Sequence, residues 1–249
     1  MIRWERRDRI GVATIDRQER RNALDGVHCA ELQAHLESAP DVRVIVVTGA
    51  GTAFCAGADL GTRFGESAED TFRPAFDRML DVLVGHRAAV IAAVHGPAMG
   101  AGCQLAVACD LRVVGPDARF GIPAAKLGVF LSPPNMARLV ALLGPGPAAD
   151  LMMTARALDR DEAAAVGLVT RGADDPLAGA LGLADEISQL APLTIESTKR
   201  ALTRHAAAIL TPEVAAEWAA LEHHAMTSDD VREGMSAFAE KRSPRFEGR

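Results

Sequence analysis

Two apolar runs, at 42–48 and 89–95, each break into a loop built almost wholly of small residues. Apart from Arg43 the first run is β-branched and apolar, as expected of a strand covered on both faces of a sheet. It opens into Gly49-Ala50-Gly51-Thr52-Ala53-Phe54-Cys55-Ala56-Gly57-Ala58-Asp59-Leu60. The second opens into Gly96-Pro97-Ala98-Met99-Gly100-Ala101-Gly102-Cys103-Gln104-Leu105 and runs on to Cys109-Asp110. Small residues let one backbone approach another, or a ligand, closely and take unusual dihedrals. Backbone N–H groups freed in such loops can point at a developing oxyanion.

Around these loops strand and helix signals alternate, which favours an α/β fold with crossover connections. Strands are expected at 2–5, 10–15, 42–48, 89–95, 111–114 and, after a helix stop, 167–169. Helices are expected at 27–37, 72–84, 99–108, 147–154 and 159–166. A polar segment at 66–70 and a long loop at 127–135, carrying Pro133-Pro134, interrupt the pattern. From Pro176 onward only helices are expected, over 176–190, 194–210, 212–226 and 229–242. Pro176 and Pro212 stand where a first-turn proline is tolerated. The division is a mixed core over 1–190 and a helical region over 191–249. The latter is too short for a large core of its own, and packs on the main body or on another subunit.

Composition narrows the function classes. A length of 249 residues fits one large domain or a domain with an appendage. A net charge of −6 argues against a polyanion-binding surface, so nucleic acid is excluded as a partner. Cys29, Cys55, Cys103 and Cys109 form no Cys-x-x-Cys pair and are expected as buried free thiols, not zinc ligands. The charged N-terminus lacks a signal-peptide apolar region, and no run of about 18 uncharged apolar residues suggests a membrane span. A cytoplasmic location is the expectation.

No Gly-x-x-x-x-Gly-Lys-Ser/Thr phosphate loop and no Gly-x-Ser-x-Gly nucleophile elbow occurs. The glycines at 96, 100 and 102 lack the order of a dinucleotide fingerprint. Taken together, the two small-residue loops resemble those of the crotonase (enoyl-CoA hydratase/isomerase) superfamily. Arg21-Asn22-Ala23-Leu24 is similar to that family's early adenine-side segment, Ala118-Arg119-Phe120-Gly121-Ile122-Pro123 to its next structural block, and Glu240-Lys241-Arg242 to its C-terminal element. The likeness runs in order over nearly the whole chain. It is nearest in wording to actinobacterial enoyl-CoA hydratase-like paralogues that lack both catalytic glutamates.

The resemblance implies a ββα superhelix (spiral) core followed by a C-terminal all-helical trimerisation region, with trimers often paired into hexamers. It implies that the backbone N–H groups of Ala58 and Ala101 form an oxyanion hole for a thioester carbonyl. Arg21, Ala23, Leu24, Ala56, Asp59 and Leu60 match the lining of the family's coenzyme A site. Phe238 and Lys241 match residues that meet the nucleotide end, often from a neighbouring subunit. No tightly bound cofactor is implied, and a fatty acyl-CoA thioester is the ligand or substrate.

Two positions depart from the family's hydratases, which hold and activate water with two glutamates. The first glutamate falls on Gln104 and the second on Ala124. Glutamine is no base near neutral pH, and alanine offers no polar group. General acid–base transfer contributes about 10²–10⁴-fold, so hydration is expected weak or absent. The expected function is therefore acyl-CoA binding under a hydratase-like name. The alternatives are an active enzyme of the fold (hydratase, isomerase or thioester hydrolase) using other residues, and a regulatory or scaffolding subunit with a vestigial site.

Other candidates are read more plainly. Lys126 shares a face with Ala124 only on an extended strand. His95 is expected to make a structural hydrogen bond, His86, His223 and His224 to lie on the surface, and Asp59 and Asp110 to organise their loops. Asp77 and Asp81 could reach the acyl pocket, but their spacing is equally that of one solvated helical face, which is the expectation. Phe64, Phe72, Phe76, Met79, Leu80, Val129, Phe130 and Leu131 are candidate walls of an acyl tunnel, with Ser132 and Asn135 as polar members. In the third helix of the C-terminal region, Trp218, Leu221 and alanines 215, 216, 219 and 220 form an apolar stripe.

Overall fold

The computed structural model describes residues 1–60 and 69–249. The candidate wall residue Phe64 and residues 66–68 of the polar segment lie outside the described residues. β1 (Ile2–Arg7) and β2 (Ile10–Ile15) form an antiparallel hairpin, which turns at Asp8 with φ of 52°. α1 (Gly26–Glu37) follows, capped by Asp25, whose carboxylate accepts from the Val27 and His28 N–H groups.

β3 (Val44–Gly49), α2 (Glu69–Gly85) and β4 (Ala89–Val94) come next, then the short β5 (Pro97–Met99) and α3 (Ala101–Ala108). β6 (Leu111–Val114) and β7 (Arg119–Gly121) lead to a 3₁₀ turn at Pro123–Lys126. α4 (Pro133–Leu143), α5 (Pro145–Met153), β8 (Ala157–Leu158), α6 (Arg160–Ala165) and β9 (Arg171–Gly172) complete the mixed part. α7 (Pro176–Ser188), α8 (Pro192–Ala207), α9 (Pro212–Met226) and α10 (Asp229–Glu240) end the chain. This is the α/β architecture the alternation implies.

A six-stranded sheet has the order β1-β2-β3-β4-β6-β9 and is parallel beyond the first hairpin. β3 and β4 lie in its middle and are buried along their full length, which is why they read as unbroken apolar runs. Alternate residues serve opposite cores, as the period of two requires. Val44, Val46, Ile91 and Ala93 pack against Ala180, Leu183 and Ala184 of α7. Ile45, Val47, Val90 and Ala92 face the larger core shared with α1, α2 and α3. A second, three-stranded sheet has the order β5-β7-β8.

Two expectations fail here. The long loop ends at Ser132, because Pro133 and Pro134 occupy the first turn of α4, where a missing N–H costs nothing. The strand after α6 is β9 at Arg171–Gly172, not 167–169, because Gly167 has φ of 82° and still belongs to the helix stop. The four C-terminal helices stand as expected. They pack on the main body. Lys199 of α8 reaches inward to the Leu83 and Ala88 carbonyls, and Gly234 of α10 rests on the Leu127 backbone. In α9, Ala215 and Trp218 are part-buried while Ala216, Ala219, Ala220 and Leu221 are exposed, so its apolar stripe is only partly covered by its own subunit.

Candidate functional site

The two small-residue loops meet. Cys55 bridges Ala98, with Cys55 N–H donating to the Pro97 carbonyl at 3.0 Å and Met99 N–H to the Cys55 carbonyl at 2.9 Å. Glycine is obligatory at the crossing, since a Cβ on Gly102 would stand 2.1 Å from the Cys55 carbonyl oxygen. Asn22 shapes the first loop from beneath. It is fully buried, and its amide donates to the carbonyls of Ala50 (2.8 Å) and Ala53 (2.6 Å).

Leu24 holds the far end of the same loop. Its N–H donates to the Gly57 carbonyl at 2.8 Å and its carbonyl accepts from Asp59 N–H at 2.7 Å. A bridge made to the two neighbours of Ala58 leaves the N–H of Ala58 itself facing the opposite way. Ala101 is the first residue of α3, and its N–H is one of the helix's orphan donors. Ala58 and Ala101 line one cavity of ≈ 230 Å³. Among the described residues neither N–H meets an acceptor, and both residues stand on one wall.

The rest of the wall comes from seven segments of the chain. Ala56, Gly57 and Leu60 belong to the first loop, Gly100 and Gln104 to the α3 region, and Ala124 to the 3₁₀ turn. Phe72, Arg73, Phe76 and Asp77 come from α2, and Val129, Phe130, Leu131, Ser132 and Asn135 from the approach to α4. Met226, Met235 and Phe238 close it from the C-terminal helices of the same chain. Phe238 is thus a wall of its own subunit's cavity, although sequence reasoning looked for it at a neighbour's site.

Several candidates lie elsewhere. Met79 and Leu80 are wholly buried core residues. Lys126 is exposed, since the 3₁₀ turn carries it away from the face of Ala124. Arg21, Ala23, Leu24, Asp59 and Lys241 do not line this cavity. Arg21 is exposed with φ of 50° and accepts from Ala56 N–H, while Leu24 is fully buried. The Asp59 carboxylate lies 2.7 Å from the Arg17 guanidinium, which also pairs with Asp25. Lys241 ends α10 in the left-handed region, exposed.

His95 behaves differently from the expectation. Its carbonyl accepts from Phe54 N–H, and its buried Nε2 has no partner among the described residues. His86 is half-buried, not a surface residue; its Nδ1 accepts from Ala88 N–H. His223 and His224 are exposed as expected. Asp110 accepts from Val90 N–H and pairs with Lys199, a structural role. All four thiols are free and buried, and burial pushes each up to about 12. They are not nucleophiles at neutral pH.

Asp77 overturns the expectation of a solvated face. Its Oδ1 accepts from Ser132 Oγ at 3.1 Å and Asn135 Nδ2 at 2.9 Å, on the cavity wall. Asp81, one turn further, is the exposed partner of Arg138. The signal was present in Phe76-Asp77, an acidic residue beside an aromatic expected on the tunnel wall.

Comparison with known proteins identifies the family and the fold. The Enoyl-CoA hydratase/isomerase family profile matches residues 5–249. A "Probable enoyl-CoA hydratase echA6" of Mycobacterium leprae is 41% identical over 254 residues, spanning 96% of this chain and 96% of its own length. The crystal structure of carnitinyl-CoA hydratase from Mycobacterium avium superposes with a TM-score of 0.83 at 32% identity, over 100% of this chain and 98% of the other. Methylmalonyl-CoA decarboxylase shares the fold at a TM-score of 0.89 and 23% identity, over 100% and 98%. The chain belongs to the enoyl-CoA hydratase/isomerase family and has its crotonase-like fold.

Proposed function

We propose that this protein binds a fatty acyl-CoA thioester, with the carbonyl oxygen held between the N–H groups of Ala58 and Ala101. The observation that supports this reading is that Ala58 and Ala101, whose N–H groups meet no acceptor among the described residues, line one cavity whose remaining wall is largely apolar. One such donor is worth about 3 kcal/mol to a developing oxyanion. Each CH₂ buried against Phe72, Phe76, Val129 and Leu131 adds about 0.8 kcal/mol. Arg21, Ala23, Leu24, Ala56, Asp59, Leu60 and Lys241 are assigned to the coenzyme A end of the ligand.

In this reading Gln104 and Ala124 occupy the hydratase acid–base positions, so water is not activated there. Titration calorimetry with octanoyl-CoA and free coenzyme A tests the binding. Measurable affinity for the thioester, exceeding that for coenzyme A, is expected. Loss of enoyl absorbance from crotonyl-CoA at about 10–10³ per second would refute the absence of hydration.

The carboxylate of Asp77 on the cavity wall supports a second reading, an active enzyme that moves a proton with a different residue. Mass spectrometry of an acyl-CoA panel separates the two. We further propose a homotrimer or homohexamer, supported by the exposed part of the α9 stripe, with Leu221 half exposed. The free thiols suit a cytoplasmic setting.

A further inference from the structure

Asp77 places a half-engaged carboxylate on the cavity wall beside the apolar Phe72 and Phe76. Its Oδ1 is held by two neutral donors, Ser132 Oγ and Asn135 Nδ2. Asn135 is itself buried and fixed, because its Oδ1 accepts from Arg138 Nη1 at 2.7 Å. Arg138 in turn pairs with Asp81 at 2.7 Å. The carboxylate is thus oriented by a chain of hydrogen bonds and not left to rotate. Among the described residues its Oδ2 accepts no hydrogen bond and pairs with no cation.

We infer that Asp77 is a specificity-determining residue that selects acyl chains carrying a hydroxyl group. The inference rests on the acyl-CoA reading of the cavity and names its substrate class. A plain alkyl chain would strip water from Oδ2 without replacing its hydrogen bond. Sites built around such a polar group reject ligands that lack the matching donor. A hydroxyl supplies the missing donor and leaves the carbon chain against Phe72 and Phe76. A carboxyl-tipped chain would bring a second negative charge to Asp77. Arg73, one helical turn away on the same wall, is engaged by Glu222 and by the Phe130 carbonyl and does not pair with Oδ2.

The test is calorimetric titration of the full-length protein with octanoyl-CoA, a series of hydroxyoctanoyl-CoAs with the hydroxyl at successive carbons, and an ω-carboxyoctanoyl-CoA. One hydroxyl position should bind about tenfold or more tighter than octanoyl-CoA, the size expected of a hydrogen bond to a charged group. The ω-carboxy ester should bind weakest. In Asp77→Leu the hydroxyl preference should vanish while octanoyl-CoA binds at least as well. Asp77→Asn, which keeps an acceptor, should retain a reduced preference and guards against misfolding of the leucine variant. Equal binding of all chains, or a preference that survives Asp77→Leu, would overturn the inference alone. Failure of every thioester to bind, octanoyl-CoA included, would overturn the acyl-CoA reading beneath it.

Discussion

Lys199 of α8 places its Nζ 2.9 Å from Asp110 Oδ2, and the same ammonium donates to the Leu83 and Ala88 carbonyls. Four separate segments are joined at one buried charge: α8, the end of α2, the start of β4 and the turn after α3. Breaking a buried pair from one side costs about 3–5 kcal/mol, because the remaining charge and carbonyls are left without partners. Asp110 keeps 27% of its side chain exposed, so water recovers part of that loss. Lys199→Met is expected to lower the unfolding free energy by about 3 kcal/mol, read from the urea midpoint at constant slope. A change below about 1 kcal/mol would show that α8 is held by other contacts.

His86, near this junction, gives the fold an acid-sensitive point. Burial lowers its pKa from the ordinary histidine range, and the charges of Lys199 and Arg87 push the same way. The Ala39 and Leu36 carbonyls oppose this without meeting Nε2 at hydrogen-bond geometry. Protonating Nδ1 would also turn it from acceptor to donor against the Ala88 N–H. The unfolded chain therefore binds the proton more readily than the native one, and native stability rises with pH over that interval. The contribution is complete above about pH 6.5 and is lost as pH falls through the lower native value. Urea midpoints of the wild type and His86→Gln, measured from pH 7.5 to 5, should converge as the solution is acidified. Parallel curves would remove His86 as the cause.

The parts of the fold that were legible in the chain are those where one local pattern decides. β3 and β4 are buried on both faces, so their apolar runs are unbroken. Helices α7 and α9 open on prolines after the capping residues Asp175 and Thr211. The failures arise where a residue type serves two purposes. Pro133-Pro134 marks loops in general, yet here it begins a helix. Asp77 and Asp81 share one spacing, and only the tertiary placement of Ser132 and Asn135 makes one a cavity wall and the other a surface partner. Asn22 was visible only as part of a motif, while its buried amide is what shapes the loop that carries Ala58.

Gly102, like Gly96, is a point where the two halves of the site are in close backbone contact. An added Cβ would meet the Cys55 carbonyl oxygen at 2.1 Å and the Cys55 Cβ at 2.8 Å, neither of which is a flexible side-chain end. Relief requires α3 to move away from the first loop, which separates Ala101 from Ala58. Gly102→Ala is thus expected to weaken octanoyl-CoA binding by more than about tenfold. Gly146→Ala meets nothing within 4 Å and serves as the control, with binding unchanged. Equal affinities for the two variants would show that the spacing of the loops does not govern the ligand.

Gln104 and Ala124 both line the cavity that Ala58 and Ala101 line, and under the proposed reading the frame for hydration is present while its proton-transfer groups are not. Ala124 is buried, and a glutamate there would be stripped of water unless its carboxyl found a donor or stayed protonated. Gln104 is only part-buried and accepts a glutamate with little change of shape. The double variant Gln104→Glu/Ala124→Glu is expected to gain crotonyl-CoA hydration by about 10²-fold or more over the parent, the lower end of general acid–base assistance. Either single variant should gain far less, because one carboxyl positions water and the other delivers its proton. Stopped-flow loss of enoyl absorbance reads the rates. A double variant no faster than the parent, yet still binding octanoyl-CoA, would mean that the amides of Ala58 and Ala101 do not hold the carbonyl where these carboxyls reach.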